Sequence, residues 1–252
     1  MRRLTLVILV TAVTLAWSAH ASAQAPKSKP DAKPPTAEAV LDGYVKAIGG
    51  RKAIEGHKSM TMAGTLEVVN FGLKGTVEII SKEPSKISVT TTIDGLGTTR
   101  QGYDGKVGWS QDPLSGLRDM DAREIALVER SVFSSDVRWR EVWKTVEFVG
   151  TENLDGRSVH VVQLTPARDA GSPTKNFYDA ETGLLVRTEM VIETTAATMP
   201  VTTTLSDYRK IGDVLIAMRM VQTLPTATLV TQFSEVKFDQ KIDDAVFAKP
   251  AR

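Results

Sequence analysis

Residues 60–93 read MTMAGTLEVVNFGLKGTVEIISKEPSKISVTTTI, and their pattern recurs along most of the chain. Apolar side chains alternate with polar or small ones in three runs, at 60–68, 73–79 and 87–93. Alternation with a period of two places one set of side chains on each face of a strand. The stretch therefore predicts three half-buried strands joined by tight turns.

Strand-like runs with turn signals between them continue to the end of the chain. Dipeptides such as Asp94-Gly95, Asp155-Gly156 and Thr182-Gly183 separate these runs. The later strands are predicted at 145–151, 157–165, 174–179, 184–195, 200–208, 214–223 and 227–238. Short sequential strands joined by tight turns form an antiparallel meander, and about ten or eleven twisted strands must curl or split. The predicted fold is mainly β with a few helices, its curled sheet covered by helices on the concave face.

Two helices are predicted. Thr36 is a suitable N-cap for the first, which Gly49-Gly50 ends, and Asp121 with Glu124 forms a capping box for the second. Residues at helical spacing mark the buried faces: Val40, Leu41, Tyr44, Val45 and Ile48 in the first, and Ile125, Val128 and Val132 in the second. We expect residues 37–252 to form one domain.

The first 23 residues have the order of a secretory signal peptide. Arg2 and Arg3 precede an uncharged apolar run, and Ala21-Ser22-Ala23 before Gln24 matches an A-x-A cleavage site. The run is shorter than the ~20 residues of a membrane span, which disfavours the alternative of an uncleaved anchor. We expect cleavage between Ala23 and Gln24, and a Pro/Lys-rich flexible tether over 24–36. Export makes the periplasm the expected location, with the extracellular space as the alternative.

Composition excludes several classes of function. The chain has no cysteine, so lipid anchoring, disulfides and thiolate sites are excluded. Signal removal takes two of the 31 basic residues and none of the 30 acidic ones, leaving 29 and 30 and a formal charge of −1. This balance gives no electrostatic reason to expect nucleic acid. Nucleotide-binding motifs are also absent.

Catalytic and metal-binding motifs find little support. His57 and His160 have no partner at metal-ligand spacing. Ser172 and Lys175 match S-x-x-K, but Pro173 places them in a loop rather than on the helical turn that this chemistry needs. We therefore predict no enzyme, no metal and no cofactor.

Methionines and tryptophans are the remaining candidates for a ligand site. Met60 and Met62 share one strand face and Met218 and Met220 another, and Met can line a wall that accepts varied apolar shapes. The alternative is ordinary core filling. Trp139 and Trp143 lie four residues apart among basic residues, which fits either a groove mouth or one face of a short helix.

Several hairpins resemble those of the outer-membrane lipoprotein-sorting family, the LolA/LolB-like periplasmic carriers. The similar segments are Phe177–Arg187 (FYDAETGLLVR), Ser206–Ile216, the closing Ile242–Phe247 with Pro250, and Tyr103–Trp109. The resemblance implies an incomplete β-barrel whose apolar cavity shields acyl chains, with no cofactor. This chain is longer than the best-studied carriers, and Ala217 stands where related sequences often have proline.

We therefore expect a monomeric, non-catalytic periplasmic carrier or binding protein for a lipidated protein or another lipid-like hydrophobe. The alternative is an envelope interaction module that has a filled core and binds a protein partner. The expected cavity-lining residues are Met60, Met62, Leu66, Val77, Ile79, Trp109, Trp139, Trp143, Met190, Met218 and Met220.

Overall fold

Thirteen strands form a single antiparallel sheet in a computed structural model, which describes residues 33–167, 172–193 and 198–251. The strands are β1 (Ser59–Val68), β2 (Leu73–Lys82), β3 (Lys86–Ile93), β4 (Gly97–Tyr103), β5 (Gly108–Asp112), β6 (Gly116–Asp119), β7 (Trp143–Leu154), β8 (Arg157–Pro166), β9 (Thr174–Asp179), β10 (Leu185–Glu193), β11 (Thr198–Ile211), β12 (Val214–Thr223) and β13 (Thr228–Phe238). The predicted signal peptide, and the tether up to residue 32, lie outside the described residues.

The strand order is β6-β5-β4-β3-β2-β1-β13-β12-β11-β10-β9-β8-β7, so the first and last strands pair at the centre of the sheet. The sheet ends at β6 on one side and β7 on the other and does not close into a barrel. These two edge strands are consecutive along the chain. The segment between them, residues 120–142, is here called the crossing segment, because it runs from one edge to the other and carries helices over the sheet.

In the described ranges, four helices accompany the sheet: α1 (Ala37–Ala47), α2 (Arg51–Gly56), α3 (Ala122–Arg130) and α4 (Trp139–Val142). Short 3₁₀ turns occur at Val69–Phe71, Phe133–Asp136 and Asp244–Val246. The predicted open, mainly antiparallel fold with few helices is confirmed, although it has 13 strands rather than ten or eleven. The additional strands belong to the short hairpins β4–β6, which lack a clear apolar alternation.

The inner face of the sheet, defined as the face that carries the helices, follows from strand register. Met62 pairs with Ile79 on β2, and Ile79 pairs with Val89 on β3, so all three side chains point to the same face. Gly64 lies at a bulge where β1 meets β13, and a Cβ there would clash with the backbone of Gln232 and Phe233. Glycine is therefore required where the meander joins end to end.

The predicted helix α1 is confirmed in both its boundaries and its buried face. Thr36 Oγ1 accepts a hydrogen bond from the backbone N–H of Ala39 at 3.2 Å, and Gly49 follows the helix with φ +127°. Val40, Leu41 and Tyr44 are buried against side chains of strands β7 to β12. Fully burying one such side chain stabilises the fold by about 1.5–3 kcal/mol, so α1 is anchored by its apolar stripe.

Helix α3 is less firmly packed. The predicted capping box is present, with the Asp121 side chain accepting from the N–H of Glu124 and the Glu124 side chain accepting from the N–H of Asp121. Ala126 is the buried residue of this helix. Ile125 and Val128 are partly buried against Ile87, Tyr103 and Val132. Limited burial means that α3 can shift at a smaller energetic cost than α1.

The chain end packs on the outer face of the sheet. Phe247 is fully buried, and the indole Nε1–H of Trp109 donates to its carbonyl oxygen at 2.9 Å. Lys82 and Lys86 form ion pairs with Asp244, at 2.7 and 2.6 Å. The closing segment therefore covers β5 from the side opposite to the helices.

Candidate ligand groove

A groove of about 260 Å³ lies between α3 and the sheet. Its apolar wall comes from both sides. Met120, Leu127 and Val128 lie on or just before α3, and Met190 and Ile192 project from β10. Ligand pockets are concave and predominantly apolar, with a few polar groups that orient the ligand. This groove has that composition.

One edge of the groove is closed by an ion pair between α3 and β10. Arg123 Nη1 lies 3.3 Å from Glu193 Oε2, and the hydroxyl of Ser172 donates to Glu193 Oε1 at 2.7 Å. Both charged side chains are substantially exposed, and such pairs typically contribute 0 to about 1 kcal/mol. The contact orients α3 but holds it only weakly.

Arg130, the last residue of α3, lies where the groove meets two further cavities. Its side chain is half-buried, and its guanidinium carbon lies 5.5 Å from the centre of the Trp143 ring. Burial lowers the pKa of Arg130, while the charge of Glu129 acts in the opposite direction. A desolvated guanidinium at the end of an apolar groove is suited to binding an anionic group.

A smaller cavity of about 50 Å³ lies beneath α1 and is lined by polar groups. The hydroxyl of Tyr44 donates to Asp136 Oδ2 at 3.4 Å, and the amide of Asn176 donates to the Tyr178 hydroxyl at 3.0 Å. Burial raises the pKa of Asp136 to about 6, and the hydrogen bond from Tyr44 only partly offsets this. Burial also raises the pKa of Tyr44 and Tyr178.

Of the residues that the sequence suggested as cavity lining, Met190 lines the groove. Met60, Met62, Val77 and Met218 come together with Phe233 in a packed group, here called the methionine cluster. Ile79 packs against this cluster, and so does Phe133 from the crossing segment. Part of the inner face is therefore filled by protein side chains.

The other predicted lining residues lie elsewhere. Trp139 and Trp143 border the cavity of about 50 Å³ beneath α1. Leu66 and Met220 are both paired with Thr231 of β13, on the inner face beyond the methionine cluster. Trp109 lies on the outer face under the chain end.

Sequence reasoning missed most of the groove, although one signal was available. The spacing of Ile125, Val128 and Val132 marked an apolar face, most of which packs with Ile87 and Tyr103. Val128 also borders the groove, but nothing local indicated that it would lie opposite Met190 and Ile192. About sixty residues separate the two walls, and they meet because residues 120–142 cross between the edges of the sheet.

Groups with potential chemistry are engaged in structural contacts. His160 Nδ1 lies 3.1 Å from the hydroxyl of Thr151, and His57 Nδ1 lies 2.7 Å from Asp239 Oδ2. Within the part of the chain that the structure describes, no group of three or more His, Cys, Asp or Glu side chains is arranged to hold a metal ion. No helix in that part has both the length and the hydrophobicity needed to cross a membrane.

Comparison with known proteins relates the chain to others by fold rather than by sequence. No protein-family model matches it, and a search of curated protein sequences found no match. A LolA superfamily protein from Nitrosomonas europaea superposes with a TM-score of 0.59 at 12% identity, over 86% of this chain and 99% of the other. A DUF1329 family protein from Desulfovibrio piger superposes with a TM-score of 0.58 at 15% identity, over 84% of this chain and 97% of the other.

A third solved structure, assigned as an outer membrane lipoprotein-sorting protein domain from Vibrio parahaemolyticus, gives a TM-score of 0.56 at 15% identity, over 84% and 97% of the two chains. These similarities extend over nearly the whole length of each solved structure. The resemblance inferred from the hairpin motifs is thus confirmed for the architecture, and the chain has a LolA-like fold.

Proposed function

We propose that this protein is a non-catalytic carrier or binding protein for a lipid-like hydrophobic ligand, whose acyl chain occupies the groove between α3 and β10. The observation that carries the proposal is the groove itself, with Met120, Leu127 and Val128 facing Met190 and Ile192. Apolar burial contributes about 0.8 kcal/mol per CH₂ group, so an acyl chain can bind firmly without many polar contacts.

The size of the groove adds a requirement for movement. Its volume of about 260 Å³ is below the ~300–1,000 Å³ typical of pockets for drug-sized ligands. A long acyl chain would need more room. The weak packing of α3 and its exposed ion pair with β10 support an outward shift of this helix on binding.

We further propose that the protein acts in the periplasm after cleavage between Ala23 and Gln24, with residues 37–252 as the ligand-binding domain. The signal-like N-terminus supports this location. A lipidated protein and a free lipid are both candidate ligands, because an acyl chain is common to the two.

A second candidate is an envelope interaction module that carries no ligand. The packed methionine cluster supports it, because Met60, Met62 and Met218 fill part of the inner face with protein side chains. In that case the groove beside α3 would be a packing irregularity, and the protein would act through its surface.

The test combines two measurements on protein purified from the periplasm. Native mass spectrometry should detect co-purified lipid, and a fluorescent fatty-acid probe should bind to the delipidated protein. Met190→Trp would fill the groove and should weaken probe binding at least about tenfold, because several CH₂ groups lose their contacts.

Leu96→Trp is the matched control, because Leu96 is 59% exposed in the hairpin between β3 and β4 and should leave binding unchanged. Absence of both co-purified lipid and probe binding would refute the carrier proposal and favour the interaction module.

A further inference from the structure

Helix α3 borders a second cavity, here called the polar cavity, next to the apolar groove. Its volume is about 220 Å³, and Arg130 lines both spaces. The polar cavity is bordered by Ser85, Glu129, Arg138 and Glu141, together with Arg130. An apolar space and a polar space that share one arginine match the two parts of an amphiphile.

The polar cavity carries charges of both signs. Arg130 and Arg138 contribute two guanidinium groups, and Glu129 and Glu141 contribute two carboxylates. Glu129 accepts a hydrogen bond from the Tyr103 hydroxyl at 2.9 Å, whereas the Glu141 side chain is exposed at the margin. A purely anionic headgroup would meet two like charges here, while a zwitterionic one could satisfy both signs.

Arg138 has an unused hydrogen-bond donor. Its Nη2 donates to the carbonyl oxygen of Pro84 at 2.8 Å, which orients the guanidinium. Its Nε is buried and has no hydrogen-bond partner among the described residues. A buried, unpaired N–H is costly, and the cost is greater when the group is charged. A bound acceptor beside Arg138 would remove that cost after a small shift of the side chain.

We propose that the polar cavity binds a zwitterionic phosphate–ammonium headgroup, with the phosphate on Arg130 and Arg138 and the ammonium on Glu141. The inference rests on the proposed function, because it places the acyl chain of the same ligand in the groove. It names the ligand class as a phospholipid-type amphiphile. Arginine binds phosphate through several N–H donors, and such charge-assisted bonds are stronger than neutral ones.

The test compares three lipids that carry the same acyl chain. Lysophosphatidylethanolamine has the full headgroup, lysophosphatidic acid lacks the ammonium, and monoacylglycerol lacks both charges. Calorimetric titration of the delipidated full-length mature protein should show lysophosphatidylethanolamine binding about tenfold more tightly than monoacylglycerol, as expected for one or two charge-assisted hydrogen bonds. The fluorescence of Trp143 should change when the charged lipids bind, because the guanidinium carbon of Arg130 lies 5.5 Å from the centre of its ring.

Variants assign the preference to residues. Arg138→Gln should reduce the tenfold preference to about twofold. Arg140→Gln is the matched control, because Arg140 pairs with Asp42 at 2.9 Å and should keep the preference. Glu141→Gln, at an exposed position, should selectively reduce the preference for lysophosphatidylethanolamine over lysophosphatidic acid. This variant keeps the test decisive if Arg138→Gln does not fold.

The outcomes separate the two proposals. Equal affinities of the native protein for lysophosphatidylethanolamine and monoacylglycerol would overturn the headgroup site but leave the groove proposal standing. Tighter binding of lysophosphatidic acid than of lysophosphatidylethanolamine would overturn the role of Glu141. Failure of all three lipids to bind would contradict the carrier function itself.

Discussion

Replacing Asp136 by asparagine should stabilise this protein at neutral pH and remove part of its pH dependence. Burial raises the pKa of Asp136 from its ordinary value of 3.8 to about 6. The folded protein therefore holds this proton more tightly than the unfolded chain does. Ionising the carboxyl costs stability, and the cost grows as the pH rises from about 4 to about 6.

The magnitude follows from that difference in pKa. Near pH 7.5 the carboxylate costs about 3 kcal/mol of unfolding free energy, and near pH 5 it costs about 1.5 kcal/mol. The native protein should thus lose about 1.5 kcal/mol between these pH values relative to Asp136→Asn. The asparagine keeps an oxygen that can accept the hydrogen bond from Tyr44, so the substitution removes the charge with little change in shape.

Urea unfolding of both proteins near pH 5 and near pH 7.5 measures this effect. Subtracting the unfolding free energy of the variant from that of the native protein cancels the contributions of groups that titrate equally in both, such as exposed carboxylates. If the two proteins have the same pH dependence, or if Asp136→Asn is less stable near pH 7.5, then the carboxyl of Asp136 is not desolvated as described.

Three further predictions concern stability and can be checked by urea unfolding. Phe247→Ala should cost about 3–5 kcal/mol, because this fully buried side chain anchors the closing segment on the sheet. Val246→Ala, at a side chain that is 38% exposed, should cost under about 1 kcal/mol, and equal costs would contradict the packing of the closing segment. Gly64→Ala should destabilise the protein because its Cβ would lie 2.7 Å from Phe233 Cα, and a neutral effect would argue against the bulge. Gly43 lies within α1 with no atom near the position of an added Cβ, so Gly43→Ala should stabilise the protein by about 0.5–1 kcal/mol. Asp121→Ala removes the N-cap of α3, so it should cost about 1 kcal/mol of stability and speed amide hydrogen exchange over residues 122–130. Unchanged exchange there would mean that the cap does not limit the opening of α3.

Local sequence signals predicted the elements whose stability is decided locally. Thr36 and Asp121 cap the helices as expected, because a cap needs only a side-chain acceptor and the next few N–H groups. The alternation in 60–93 predicted β1 to β3, since one face of each strand is buried. In β4 to β6 the strands are short and each contains glycine, and pairing with neighbours forms them without that alternation.

Positions set by distant contacts were not predictable. Trp109 lies on the outer face because Phe247, 138 residues later, accepts its hydrogen bond there. Met60 and Met62 are packed rather than open, because Phe133 of the crossing segment covers them. The groove forms where α3 approaches β10, and the path of residues 120–142 between β6 and β7 determines that approach.

Photo-crosslinking tests the central claim, that the groove holds an acyl chain, most directly. A fatty acid with a diazirine on its chain would be bound to the mature protein, activated by light, and located by peptide mass spectrometry. We predict labelling of residues 120–130 and 188–193, which form the two walls, and loss of that labelling in Met190→Trp. Labelling confined to the outer face or to the hairpin around Leu96, unaffected by Met190→Trp, would contradict the account.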